Sequence, residues 1–173
     1  QVHLQVVRKR AEIHDIELDP AVRLYYVEVE EPDMHDPSGD LRRLNDALEF
    51  EWGLHVEGAD LSVLRGLQKA LRSGEWSLTV AIYQGARIIG VWPGLREHIY
   101  GAAVDVGSTT IAAHLCDLSS GEVVASGGIM NPQIRFGEDL MSRVSYVMMN
   151  PGGDVEMTTA VREAINGLLA DVA

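Results

Sequence analysis

Cysteine is almost absent from this sequence of 173 residues. The single cysteine, Cys116, cannot form an internal disulfide, a thiolate zinc site or an iron–sulfur cluster within these residues, because each of them needs further cysteine ligands. Cys116 lies between Leu115 and Asp117 in an apolar segment. We therefore interpret it as a small core residue and not as a reactive thiol.

Long hydrophobic runs are absent as well. No stretch approaches the roughly 18 to 20 consecutive apolar residues of a membrane helix, and the start, Gln1 to Leu4, lacks the basic and apolar regions of a signal peptide. Because 46% of the residues are hydrophobic, we expect packed cores, in one ordinary domain or two small ones. The sequence predicts a soluble, cytoplasmic protein without a membrane partner.

Basic residues are few, with 14 Lys and Arg against 26 Asp and Glu, and the net charge is −12. This charge would repel the phosphate backbone of a nucleic acid unless a local basic patch outweighed it. The only compact basic run, residues 8–10, is interpreted as the solvated edge of a strand or linker. Nucleic acid is therefore not an expected partner.

The first 97 residues predict an extended arm followed by a small α+β domain. Residues 1–20 carry no strong turn signal before Asp19-Pro20, which indicates an arm or linker. Residues 21–97 contain the patterns of a strand, two helices and a hairpin, which we expect at residues 24–29, 41–53, 61–73, 77–83 and 87–92.

The starts of these two helices carry candidate capping side chains. Asp36 or Ser38 is placed to cap the first helix, and Asp60 is placed to cap the second. The second helix also has leucines at helical spacing, which predict a stripe that faces the core: Leu61, Leu64, Leu67 and Leu71.

Residues 98–173 show a different pattern, in which three strands precede two helices. Strands are expected at residues 100–106, 110–118 and 123–130, with a turn at residues 119–121. The breaker at residues 150–153 separates two helical stretches, at about residues 136–149 and 156–172.

The turn between the first two of these strands has the composition of a phosphate-binding loop. Such a loop brings several backbone N–H groups close to anionic oxygens, which favours glycine at the point of approach and small hydroxyl residues beside it. The turn supplies Gly107, Ser108, Thr109 and Thr110. Asp105, at the end of the preceding strand, is placed to orient a water bound to Mg²⁺. An ordinary tight β-turn is the alternative interpretation.

The surroundings of this turn favour the phosphate loop. The sequence contains neither Gly-x-x-x-x-Gly-Lys nor Gly-x-Gly-x-x-Gly, so neither a P-loop nor a dinucleotide fingerprint is present. A loop between two strands, with an acidic-then-glycine turn before a third strand, resembles the first phosphate motif of the superfamily of actin, sugar kinases and heat-shock chaperones.

A longer motif gives a narrower resemblance. Residues 131–143 read Asn-Pro-Gln-Ile-Arg-Phe-Gly-Glu-Asp-Leu-Met-Ser-Arg. This stretch resembles the Asn-Pro-Gln, Phe-Gly-x-Asp and Ser-Arg motifs of the reductive activators of corrinoid proteins, which are ATP-dependent iron–sulfur proteins. Residues 26–32, 36–41 and 76–94 are similar to the linker and middle domain of that family. The resemblance therefore covers essentially the whole chain.

The resemblance implies a fold and a function. Residues 21–97 would form a middle α+β domain, and residues 98–173 would form the first β-hairpin, third strand and helices of an actin-like, ribonuclease-H-like ATPase domain. ATP and Mg²⁺ would be the ligands of the loop, with Asp105 directed to the metal. Asp139 is a weaker candidate for orienting the attacking water, since an Asp near a helix start is commonly a cap.

The implied activity is the return of an inactive Co(II) corrinoid protein to its Co(I) state, driven by ATP. The partners would be the corrinoid protein of a methyltransferase system and a low-potential electron donor. Members of the family hold a [2Fe–2S] cluster through four cysteines, which this sequence lacks. They also continue through a second phosphate loop and an adenosine pocket.

These departures from the family lead us to expect an internal fragment that is inactive alone. We expect its last two helices to be exposed, rearranged or paired with a second copy, as in a homodimer. Two other functions stay open. One is a small-molecule kinase of sugar-kinase type from the same superfamily, and the other is a docking or spacer module that retains the loop only as structure.

Overall fold

The computed structural model describes residues 18–173, which divide into two compact units. The first unit contains residues 18–99 and 118–120, and the second contains residues 100–117 and 121–173. The expected arm at residues 1–20 and the basic run at residues 8–10 lie outside the described residues or at their edge. Both units combine sheets with helices, which confirms the α+β fold class.

The first unit is a four-stranded sheet with two helices. Its elements are β1 (Val22–Glu28), α1 (Asp40–Trp52), β2 (Gly58–Ala59), α2 (Leu61–Ser73), β3 (Ser77–Tyr83) and β4 (Arg87–Pro93). The sheet order is β1-β3-β4-β2, with β2 parallel to β4 and the other pairs antiparallel. Gln84 and Gly85 both have positive φ, and the Ala86 N–H donates to the Tyr83 carbonyl, as in a type I′ turn. The short β2 was not expected, because two residues leave no periodic signal.

The core of this unit lies between the sheet and one face of each helix. On α2 the buried face is formed by Val63, Leu67, Ala70 and Leu71. The expected leucine stripe is therefore partly wrong, since Leu61 is 62% exposed and Leu64 is 46% exposed. At about 100° per residue the buried face is centred between Val63 and Leu67, and Leu64 and Leu61 lie successively further round the helix from it.

The expected cap of α1 is wrong, because its N-cap residue is Gly39. Asp60 is the N-cap residue of α2 as expected, but its side chain makes no capping hydrogen bond. Instead the Asp36 carboxylate lies 2.7 Å from the buried guanidinium of Arg43, and Asp60 lies 2.6 Å from Nε of Arg87. Hydrogen bonds from Ser38 and the charge of Arg43 lower the pKa of Asp36. A carboxylate that pairs with arginine gains a charged partner as well as hydrogen bonds, whereas a backbone N–H offers hydrogen bonding alone.

The second unit is a three-stranded antiparallel sheet with helices. It contains β5 (Tyr100–Val106), β6 (Thr110–Asp117), β7 (Val123–Met130), a short 3-10 helix (Pro132–Phe136), α3 (Leu140–Met149) and α4 (Gly153–Val172). Compared with the sequence-based helices, α3 begins four residues later and α4 three residues earlier. The sheet packs on α4 through a small core of Ile111, Ala113 and Leu168. Cys116 is half-buried in this sheet and so is not a true core residue.

Large apolar side chains are exposed on α3. Leu140, Met141, Met148 and Met149 are the most exposed of them. We expected the last two helices to be exposed, rearranged or paired with a second copy. The exposed side chains of α3 agree with the first of these, and pairing with a second copy stays a prediction. No helix among residues 18–173 is both long enough and apolar enough to cross a membrane.

Substitutions on the buried and exposed faces of α2 test the packing of the core of the first unit. Leu71→Ala should lower the free energy of unfolding by about 2–5 kcal/mol, because Leu71 is fully buried and its removal leaves a cavity. Leu64→Ala, on the same helix, should lower it by less than about 1 kcal/mol. Urea unfolding of both variants measures the difference, and equal losses would contradict the helix orientation.

Candidate functional site

The glycine-hydroxyl turn lies at the tip of the β5–β6 hairpin. Asp105 pairs with Ala112 and Val106 with Ile111 in the last rungs of the ladder. Beyond them, the Gly107 N–H donates to the Thr110 carbonyl at 3.0 Å. Ser108 and Thr109 therefore form the exposed tip of a two-residue turn. We refer to residues 107–110 as the 107–110 loop.

Gly107 is required by a close approach of backbone within this loop. A Cβ atom at position 107 would lie 2.9 Å from the Thr110 carbonyl oxygen, nearer than carbon and oxygen pack. The atom in the way belongs to backbone, so a side chain at position 107 would force the turn to open. From the sequence, we expected glycine here because it would let the backbone approach a phosphate. The structure adds a second reason, which is the close contact with the Thr110 carbonyl within the turn.

Three consecutive carbonyl groups of the loop are held from one side. The Gly107 carbonyl accepts from the Asn131 side-chain amide at 2.8 Å, and the Thr109 carbonyl accepts from the Asn131 backbone N–H at 2.8 Å. The carbonyl between them, that of Ser108, accepts from Nη2 of Arg143 at 2.6 Å. Two buried residues therefore fix the orientation of three successive peptide groups.

This arrangement determines where the N–H groups of the tip point. In a trans peptide the C=O and the following N–H are coplanar and point in opposite directions. With the Gly107 and Ser108 carbonyls directed at Asn131 and Arg143, the N–H groups of Ser108 and Thr109 face away from those side chains. Both residues are exposed. The loop therefore presents adjacent backbone donors beside two hydroxyl groups, which is the arrangement that anion-binding loops use.

Asn131 uses both ends of its side chain. Its Oδ1 accepts from the Gln133 N–H at 2.9 Å and caps the 3-10 helix, while Nδ2 donates to Gly107. Pro132 follows at the first helical position, where its missing N–H is not needed. Asn131 is only 1% exposed. The Asn-Pro-Gln motif thus anchors the loop to the segment that follows β7.

Arg143 brings a buried positive charge beneath the same loop. The side chain is 5% exposed. Besides Ser108, it donates to the Gly137 carbonyl at 2.9 Å and reaches the Gln133 side-chain oxygen at 3.5 Å. Its three hydrogen-bond acceptors are uncharged, although its charge also helps to lower the pKa of the exposed Asp139 carboxylate. A buried cation behind a loop of outward N–H groups favours a bound anion on the other side.

Asp139 caps helix α3. Its carboxylate accepts from the Ser142 N–H at 2.7 Å, and the hydrogen bonds with Ser142 hold the pKa of Asp139 below its ordinary value of 3.8. The structure therefore shows the capping role that the sequence offered as the alternative. Its role in orienting an attacking water stays a prediction.

The sequence-predicted phosphate residues come together at one hairpin tip, with Asp105 two residues before Gly107 on β5. Sequence reasoning missed the roles of Asn131 and Arg143, although both stand in the 131–143 motif. What distinguishes these two residues is that their polar side chains are buried. A single sequence does not show burial, so it gave no signal for their roles. Within residues 18–173, no group of three or more His, Cys, Asp and Glu side chains is placed to hold a metal by itself.

The Asp139 cap predicts a pH-dependent loss of stability. Asp139→Ala should destabilise the protein at pH 7, because the Ser142 N–H loses its acceptor. A carboxylate whose folded-state pKa is depressed contributes above its ordinary pKa and loses that contribution as the pH falls through the lower value. The difference from wild type, measured by urea unfolding, should therefore shrink below pH 3.8. Glu138→Ala is the exposed control, and a difference that persists in strong acid would contradict the cap.

The close approach at Gly107 predicts a local effect of added volume. Gly107→Ala should lower the free energy of unfolding by about 1–3 kcal/mol, because the new methyl group overlaps the Thr110 carbonyl. Gly167→Ala on α4 is the matched control, since nothing lies within 4 Å of its added Cβ. That control should be neutral or stabilising. Wild-type stability of Gly107→Ala in urea would show that the turn is looser than described.

Family models match both parts of the chain. Residues 11–98 match the model described as RACo linker region, and residues 100–173 match the model described as RACo middle region. The part named the middle domain in the sequence analysis thus falls within the linker model. The part named the start of the ATPase domain falls within the middle model.

Individual relatives agree with these models. The chain is 31% identical over 119 residues to the corrinoid activation enzyme RamQ of Eubacterium limosum, a match that covers 68% of this chain and 19% of the relative. A solved structure titled reductive activator for corrinoid, iron–sulfur protein is similar with a TM-score of 0.72 and 30% identity. That match covers 96% of this chain and 27% of the solved chain. The chain belongs to the RACo family, of which it contains the linker and middle regions.

Proposed function

We propose that these residues serve as the nucleotide-phosphate-binding part of an ATP-dependent activator, which returns an inactive Co(II) corrinoid protein to its Co(I) state. The names of the two relatives, a corrinoid activation enzyme and a reductive activator, support the corrinoid protein as partner. The observation that carries the nucleotide part is the fixed orientation of the 107–110 loop by Asn131 and Arg143.

The loop would contact the phosphate tail of ATP. The N–H groups of Ser108 and Thr109 point away from the buried side chains that hold the loop, and the hydroxyl groups of Ser108, Thr109 and Thr110 add further donors. The tip is formed before the ligand arrives, because its carbonyls are already hydrogen-bonded. Preformed donors in a fixed geometry lose little entropy when an anion binds.

Asp105 would serve the Mg²⁺ ion that accompanies ATP. The oxygen donors available near the loop are a carboxylate and hydroxyl groups, which suit a hard cation. A single carboxylate fits Mg²⁺ better than a metal that needs a cage of protein ligands, since Mg²⁺ keeps several waters and is held largely by phosphate oxygens. Asp105 would then orient a water on the ion, and the ion would screen the phosphate charge.

ATP would act by shifting a conformational equilibrium of the activator and its corrinoid partner. Electron transfer from a low-potential [2Fe–2S] cluster to Co(II) is unfavourable, so a state that permits it must be stabilised by another reaction. The thiolates for such a cluster would come from outside these residues, which contain one cysteine. Low-potential clusters and Co(I) are readily oxidised, and we propose the reducing cytoplasm as the compartment of this activity.

Calorimetric titration of the full-length protein with Mg-ATP tests the nucleotide part of this proposal. Mg-ATP should bind, and Co(II) corrinoid should convert to Co(I) only when Mg-ATP and an electron donor are both present, as followed by the corrinoid absorption spectrum. Corrinoid reduction without any nucleotide binding would favour a docking or spacer role for these residues. Phosphate transfer to a small molecule would favour the kinase.

Asp105 gives the sharpest variant for this function. Asp105→Ala should abolish Mg²⁺-dependent ATP turnover while the protein still folds, because the change removes an exposed carboxylate at the end of a strand. Asp171→Ala near the end of α4 is the control for loss of one negative charge. Turnover by phosphate release and folding by circular dichroism are the measurements. Retained turnover in Asp105→Ala would remove Asp105 from the site.

A further inference from the structure

We propose that Asn131 and Arg143 are positioning residues for the phosphates of ATP, and that Arg143 also supplies a fixed positive charge for their binding. This inference rests on the proposed function, because it assigns the affinity of the 107–110 loop for the phosphate tail to these two side chains. Neither residue touches the ligand in this account. Both act through the peptide groups of the loop.

Asn131 holds the loop at two points, one through its side chain and one through its backbone N–H. The Nδ2 bond to Gly107 and the backbone bond to Thr109 flank the Ser108 peptide on both sides. A turn of two residues has few other constraints, and its peptides rotate readily when their carbonyls lack a partner. Losing Nδ2 would therefore let the Gly107–Ser108 peptide rotate and turn the Ser108 N–H away from the anion.

Arg143 does more than anchor helix α3. The bonds to Gly137 and Gln133 explain how the arginine is held, but its shortest recorded hydrogen bond goes to the Ser108 carbonyl. A cation on the oxygen side of a peptide polarises it and makes the N–H on the opposite side a better donor. That N–H belongs to Thr109, at the exposed tip. The guanidinium thus strengthens the donor that the loop presents.

The charge of Arg143 gives a second and independent argument. A buried cation is costly unless an opposite charge or good hydrogen bonds compensate for it. Its recorded acceptors are two carbonyl oxygens and an amide oxygen, all neutral. The exposed Asp139 carboxylate interacts with this charge electrostatically, and an anion on the other side of the Ser108–Thr109 peptide would add further compensation. The ligand class that fits is a multiply charged phosphate chain rather than a neutral sugar.

Packing around Gly137 shows how the arginine reaches the loop. A Cβ on Gly137 would lie 2.7 Å from the Ser142 Cβ and 2.8 Å from the Arg143 nitrogen. The chain before α3 therefore passes directly against the first turn of that helix. This close passage places the Gly137 carbonyl on Nε of Arg143 and orients the guanidinium toward Ser108.

Three substitutions separate geometry from charge. Asn131→Ser keeps a capping acceptor for the 3-10 helix but removes the Nδ2 donor to Gly107. Arg143→Lys keeps the charge but removes the planar fork of donors. Arg143→Met removes both. Matched controls on the exposed side of α4 are Asn166→Ser and Arg162→Met.

The test is calorimetric titration of each variant of the full-length protein, with Mg-ATP and separately with adenosine. We expect the Kd for Mg-ATP to rise about tenfold in Asn131→Ser and about a hundredfold in Arg143→Met, with Arg143→Lys between them. The Kd for adenosine should stay unchanged, because a nucleoside has no phosphates for the loop to bind. Both controls should bind as wild type does.

The outcomes distinguish this inference from the proposed function. Wild-type protein that fails to bind Mg-ATP would overturn the proposed function and this inference with it. Wild-type protein that binds, together with Asn131→Ser and Arg143→Lys variants that bind Mg-ATP equally well, would overturn this inference alone. Equal weakening of Mg-ATP and adenosine would also overturn it, since that result indicates a purely structural role. If Arg143→Met does not fold, the two milder variants decide.

Discussion

The candidate site depends on the hydrogen bonds that hold three successive carbonyls of the 107–110 loop. Asn131 and Arg143 make all three, from buried positions. Because peptide groups are planar, fixing the carbonyls also fixes the N–H groups between them. A turn that would otherwise be an ordinary hairpin tip thereby becomes an array of oriented donors. The 131–143 motif is therefore explained by the loop, which its Asn131 and Arg143 side chains contact across 24 and 35 residues of the chain.

The same interaction connects the loop to helix α3. Arg143 lies in the first turns of that helix, Asp139 caps its start, and Gly137 packs against it. An anion bound at the loop would strengthen the bond between the Ser108 carbonyl and Arg143 and so stabilise the helix that carries the arginine. On our proposal, the phosphate contact and α3 respond together. Such coupling is what an ATP-driven conformational change needs.

Much of the fold was predictable from the sequence, and the errors have identifiable physical causes. The strands of both units followed from runs of β-branched residues between turn signals. The side chains of Asp36 and Asp60 make no capping hydrogen bonds to α1 and α2, because each carboxylate pairs with an arginine, Arg43 or Arg87. At the site, the residues at positions 107–110 predicted a turn between two strands, which the structure confirms, and its binding of phosphate stays a prediction. The support by Arg143 was not predictable, since a single sequence does not show that a charged side chain is buried.

Backbone amide resonances of the loop give the most direct test of the central claim. In the protein labelled with ¹⁵N and titrated with Mg-ATP, the N–H signals of Ser108 and Thr109 should shift further than those of the first unit. Adenosine should leave the same two signals in place, because the phosphates are what the loop binds. Saturating Mg-ATP that moves other signals and leaves Ser108 and Thr109 unchanged would contradict the account.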